Sequence, residues 1–129
     1  MGQQQLLLIV LSVIIVGIAV VVGINVFTAS AASSNGDSLI SSLTNLGSLA
    51  QLYYRKPTAL AGGGNSFVNW TIPTSLQQTA NMSAAVTPTV IAAQVTLVAV
   101  GTETGNDGTT KTKVTLTVTS TGITTAINN

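Results

Sequence analysis

Residues 6–24 read LLLIVLSVIIVGIAVVVGI. Sixteen of these nineteen positions are Leu, Ile, Val or Ala; only Ser12, Gly17 and Gly23 interrupt them. No charged residue precedes Asp37. At about 1.5 Å per residue a helix over this stretch is roughly 28 Å long, close to the ~30 Å hydrocarbon core of a bilayer. It is apolar on every side, so it needs apolar surroundings on every side. A secretory signal is one reading, and Ala29-Ser30-Ala31 supplies small residues for a cleavage site. The run is longer than the usual roughly 7–15 residues of such a signal, and no Lys or Arg precedes it. The expectation is a retained membrane helix, without the basic flank that would orient it.

The helical pattern continues beyond Ile24. Residues 25–54 contain no proline, and Leu39, Leu43, Leu46, Ala50 and Tyr53 fall on one helical face. Ser38, Ser41, Ser42, Asn45, Ser48 and Gln51 take most of the rest. Asn35-Gly36-Asp37 is a weak point, since Gly36 lowers helix propensity and Asn35 or Asp37 suits a cap. One long helix, bent there, is the preferred reading. It ends at YYRKP: Pro57 disfavours helix at Lys56, and two cations suit a helix C-terminus.

The remaining chain reads as β structure. TALAGGGNS (58–66) is a connector, because three consecutive glycines leave little regular structure. SFVNWTI (66–72) reads as a first strand closed by Pro73, residues 74–88 as irregular, and TVIAAQVTLVAV (89–100) as one strand. Asn106-Asp107-Gly108 brings turn chemistry. KTKVTLTVTS (111–120) alternates, with Val114, Leu116 and Val118 on one side, and GITTAIN adds a final short strand. Short loops between consecutive strands predict an antiparallel meander, its apolar face covered by the Leu39–Tyr53 stripe.

The chain of 129 residues carries seven charges, four basic and three acidic, with no His and no Cys. A disulfide framework is excluded. Nucleic-acid binding is not expected, because no basic patch with stacking aromatics exists. The 32 Ser and Thr residues make a surface that is polar without being charged, so like copies repel one another weakly.

In these features the chain resembles a type IV pilin, most specifically over residues 1–27. The resemblance implies an α+β fold: a long N-terminal helix, apolar in its first half and amphipathic in its second, packed on a small antiparallel β-sheet. Residues 1–27 would form the transmembrane and filament-core helix, 28–56 the amphipathic half, and 57–129 the head domain. It implies a structural subunit, the major pilin of an extracellular filament. That subunit waits in the inner membrane, is processed by a prepilin peptidase, and is drawn by an assembly machinery into a helical homopolymer. Adhesion and motility rest in that family on minor subunits and motors.

Met1 would be the processed, N-methylated first residue. Gln5 stands where the family usually has a glutamate that pairs with a neighbour's amino terminus; an amide accepts a hydrogen bond but brings no charge. Leu6, Leu7, Ile14 and Val20 would pack in the filament core. Gly17 and Gly23 would let the helix melt between residues 15 and 25 on assembly. The C-terminal disulfide loop of many pilins is impossible here. Alternatives are a pseudopilin of a type II secretion system, an archaeal-type pilin with a Thr-rich head, and a membrane-anchored surface module that never polymerises.

Other candidate sites weigh less. A Ser or Thr nucleophile needs a positioned base, and none is evident, so an enzyme is not expected. Glu103, Asn106 and Asp107 share a loop, but two carboxylates are few for Ca²⁺ and a solvated hairpin loop is the better reading. GGGN lacks the Lys-Ser/Thr ending of a phosphate loop. No metal and no cofactor is therefore expected. Asn69-Trp70-Thr71 and Asn81-Met82-Ser83 match the N-glycosylation tripeptide. Tyr53, Tyr54 and Trp70 could suggest electron transfer through stacked rings, but packing of the helix end accounts for them more simply.

Overall fold

In the computed structural model, which describes residues 2–128, a single helix, α1 (Gly2–Arg55), runs unbroken through the N-terminal part of the chain. At about 1.5 Å per residue it is roughly 80 Å long. Asn35-Gly36-Asp37 does not interrupt it. Asn35 and Gly36 are buried against the head, and that packing offsets the ~1 kcal/mol that a glycine costs a helix interior. Leu39, Leu43, Leu46 and Ala50 are buried as their spacing predicts, with Tyr53 packed at the margin. The buried stripe also extends back to Ala32.

The sheet has four antiparallel strands in sequence order: β1 (Thr87–Val90), β2 (Gln94–Thr104), β3 (Lys111–Thr119) and β4 (Ile123–Ile127). The meander is as expected, but two of its members differ. Residues 66–72 are not a strand. The Trp70 amide donates to the Phe67 carbonyl at 3.0 Å, closing a turn, and Asn69 adopts a left-handed φ of 69°. Phe67, Trp70 and Ile72 still reach the core, and the step of three from Phe67 to Trp70 departs from the strand period of two. The stretch 89–100 is not one strand either. It folds back between Val90 and Val95, and the Ile91 amide donates to the Gln94 carbonyl at 3.0 Å. That hairpin turns at Ala92-Ala93, which lack the Gly, Asn or Asp that usually marks such turns.

Alternation fixes the sheet's inner face. Val95, Leu97 and Ala99 of β2 and Val114, Leu116 and Val118 of β3 are all fully buried. They meet Leu39, Leu43 and Leu46 of α1, while Phe67, Trp70, Ile72, Met82 and Val86 close the core around them. Each such side chain contributes roughly 1.5–3 kcal/mol on leaving water. Helix and sheet lie close. A Cβ on Gly47 would stand 2.9 Å from Leu116 Cδ2 and 3.1 Å from Val118 Cγ2, so a side chain there would push against the sheet's inner face.

The C-terminal end of α1 is held by the glycine loop, which is an ordered cap rather than a plain connector. The amides of Gly63, Asn65 and Gly64 donate to the carbonyls of Tyr53, Tyr54 and Lys56 at 2.8, 2.8 and 3.0 Å. The Tyr53 and Tyr54 carbonyls lie in the last turn of α1, where a helix leaves its carbonyls without i+4 partners, and Lys56 directly follows it.

Candidate functional site

The head covers only the C-terminal half of α1, and the other half stands alone. Every large apolar side chain from Leu6 to Phe27 is exposed, from 52% at Leu11 and Ile14 to 74% at Phe27. The residues singled out for assembly, Gln5, Leu6, Leu7, Ile14 and Val20, all lie on this bare segment. Met1 lies outside the described residues. The two hydroxyl side chains within the segment and at its end satisfy themselves. Ser12 Oγ donates to the Leu8 carbonyl at 2.7 Å, and Thr28 Oγ1 to the Ile24 carbonyl at 2.9 Å. Each hydroxyl bonds one turn back, so neither leaves an unpaired donor facing apolar surroundings.

Gly17 and Gly23 sit in helical backbone here, and a Cβ on either would meet nothing within 4 Å. Nothing in the isolated chain requires glycine at those positions. They weaken the helix by about 1 kcal/mol each relative to alanine. Their contrast with Gly47, which the sheet crowds, is sharp.

A polar junction separates the bare segment from the packed one. Asn35 is 6% exposed. Its Nδ2 donates to the Asn81 carbonyl at 2.9 Å, and its Oδ1 accepts the Glu103 amide at 3.4 Å. Asn81 Nδ2 returns to the helix and donates to Ser38 Oγ at 2.6 Å. Thr112 Oγ1 donates to the Glu103 carbonyl at 3.2 Å. The junction needs Gly101, because a Cβ there would overlap Asn35 Oδ1. Sequence reasoning treated Asn35 as a cap and missed this role. The one available signal was a glycine inside strand β2, which often marks a close approach.

The remaining candidates resolve by geometry. Asp107 Oδ1 accepts the amides of Thr109 and Thr110, each at 2.9 Å, and its Oδ2 accepts Thr110 Oγ1 at 2.7 Å. This carboxylate organises its own turn. Among the described residues no group of three or more His, Cys, Asp or Glu converges as a metal would require. Tyr54 and Phe67 pack with ring centroids 4.7 Å apart, and Tyr53 Oη donates to the Val68 carbonyl at 2.9 Å, so these aromatics fasten the helix end to the head. Asn69 and Asn81 are both exposed but differ in their engagements.

The geometry thus defines a small α+β head carried on a helix whose free half is a candidate membrane anchor or signal sequence, long and apolar enough to cross a bilayer. No family model, no curated protein and no solved structure matches this chain significantly.

Proposed function

We propose that this chain is a structural subunit, the major pilin of a type IV pilus-like filament, held together by bundling of its N-terminal helices. The observation that carries the reading is the bare apolar half of α1, whose large side chains from Leu6 to Phe27 are all at least 52% exposed. In the bilayer, lipid covers them. Outside it, only other copies of the same segment offer an equally apolar surface of the same length. Each Leu or Ile so shielded is worth roughly 1.5–3 kcal/mol against water. Relative to lipid the gain is smaller, and close packing then matters more. Gly17 and Gly23 fit this state, because they give neighbouring helices room and weaken the helix where it would open. The sparsely charged, Ser/Thr-rich surface of the head lets copies pack without strong repulsion.

Inner-membrane residence, processing by a prepilin peptidase and extraction by an assembly machinery belong to the same reading, as does the absence of any enzymatic role. The test is to shear cells that express the chain, image the released material by electron microscopy, and identify its subunit by mass spectrometry. Filaments made of this chain, lost when its gene is deleted, are the expected result. A chain that stays wholly in the membrane fraction, with no filaments released, would instead mark a non-polymerising surface module.

A further inference from the structure

The chain carries two N-glycosylation tripeptides, and the fold treats them differently. Asn69-Trp70-Thr71 spans the end of a tight turn. The turn is closed by the Trp70 amide donating to the Phe67 carbonyl at 3.0 Å and is pinned by Tyr53 Oη on the Val68 carbonyl at 2.9 Å. Phe67 and Trp70 are buried anchors at its two ends, which leaves Val68 and Asn69 exposed at its tip. Asn69 has the left-handed φ of 69° that the third position of a type II turn demands and that Asn tolerates. Its side chain makes no hydrogen bond among the described residues. Thr71, whose hydroxyl the tripeptide requires, is also exposed. Asn69 and Thr71 line one open recess of about 240 Å³, so both can be reached from the same side.

Asn81-Met82-Ser83 is committed to the fold. Asn81 Nδ2, the atom a glycan would take, donates to Ser38 Oγ at 2.6 Å. The Asn81 carbonyl accepts Asn35 Nδ2 at 2.9 Å, and Ser83 Oγ turns toward the Val100 carbonyl at 3.5 Å. A glycan on Asn81 would replace one of the two Nδ2 protons of an amide already held against Ser38 of α1, crowding the sugar against the helix.

We propose that Asn69 is the N-linked glycan acceptor of this chain and that Asn81 is not. The donor is a lipid-diphosphate-linked oligosaccharide, and the catalyst is a membrane oligosaccharyltransferase. Asn69 Nδ2 attacks the anomeric carbon. The N–C bond forms as the C–O bond to the diphosphate breaks, the lipid diphosphate leaves with the electron pair, and one amide proton passes to a base of the transferase. This rests on the reading that the head lies outside the membrane, where such donors are used.

The test is mass spectrometry of the full chain isolated from its native cells, with peptide mapping of both tripeptides. One glycan mass on Asn69 and none on Asn81 is expected. Asn69→Gln and Thr71→Ala should each abolish the added mass, and Asn81→Gln should leave it. An unmodified Asn69, or a glycan on Asn81, overturns the proposal. Protease accessibility of the head on intact cells, read from the same preparation, tells whether outward placement failed with it.

Discussion

Asn35 and Gly101 should behave as one unit. Asn35→Ala removes two hydrogen bonds, one to the Asn81 carbonyl at 2.9 Å and one from the Glu103 amide at 3.4 Å. The Asn81 carbonyl keeps the Thr102 amide at 3.2 Å, so it is not orphaned. At about 1 kcal/mol for each net hydrogen bond, the expected cost is about 2 kcal/mol. Gly101→Ala leaves Asn35 in place chemically but drives its Oδ1 out of position, because the new Cβ would overlap it. The same two bonds are lost, and Leu39 Cδ1, 3.2 Å from the new Cβ, must also yield. The expected cost is about 2–3 kcal/mol. Independent effects would sum to about 4–5 kcal/mol in the double variant. The structure predicts about 2–3 instead, a coupling of about 2 kcal/mol, because truncating the Asn35 side chain vacates the space that the methyl group of Gly101→Ala needs. The assay is urea unfolding of the full chain in detergent micelles, followed by the emission of Trp70, which is the chain's one tryptophan and is 6% exposed. Additive costs, or a Gly101→Ala cost below about 0.5 kcal/mol, would refute the proposed contact.

Three further expectations concern the two halves of the helix. Ile14→Asp and Val20→Lys place an unpaired charge on the bare segment and should abolish assembly, since burying an isolated charge is very costly; normal filament yield from either would refute the bundle. Gln5→Ala should lower filament yield only modestly, and filament melting should change little from about pH 5 to 8, because an amide does not titrate there. Complete loss of assembly in that variant would assign Gln5 the docking role. Leu43→Ala, at a fully buried position facing the sheet, should destabilise the head by about 2–5 kcal/mol in the same Trp70 assay.

Patterns that repeat were legible from residues alone. The uncharged run is helical as its composition suggested, and the 3–4 spacing of Leu39 to Ala50 and the alternation of Val114, Leu116 and Val118 each put their residues in the core as expected. Features that depend on single contacts were hidden. Residues 67–72 look like a strand because Phe, Val, Trp and Ile favour strands. The left-handed turn at Asn69 redirects them, and Phe67, Trp70 and Ile72 are buried without joining the ladder. The Ala92-Ala93 hairpin carries no turn residues, so β1 and β2 merged into one apparent strand. Asn35 looked like a cap because its partners, Asn81 and Glu103, lie far away in sequence. The glycine loop looked unstructured because backbone amides, rather than side chains, make its capping bonds. The bare half of α1 was plain in the sequence because its composition alone demands a partner that the rest of the chain cannot supply.

What covers Leu6–Phe27 outside the bilayer is the central question, and a cryo-electron microscopy reconstruction of sheared surface filaments at side-chain resolution answers it most directly. The account predicts a helical homopolymer with these segments bundled at its axis, the heads outside, and the helix opened somewhere between residues 15 and 25, where Gly17 and Gly23 lie within a run of β-branched residues. Filaments whose core is built from the heads, or in which Leu6–Phe27 remain exposed, would contradict it.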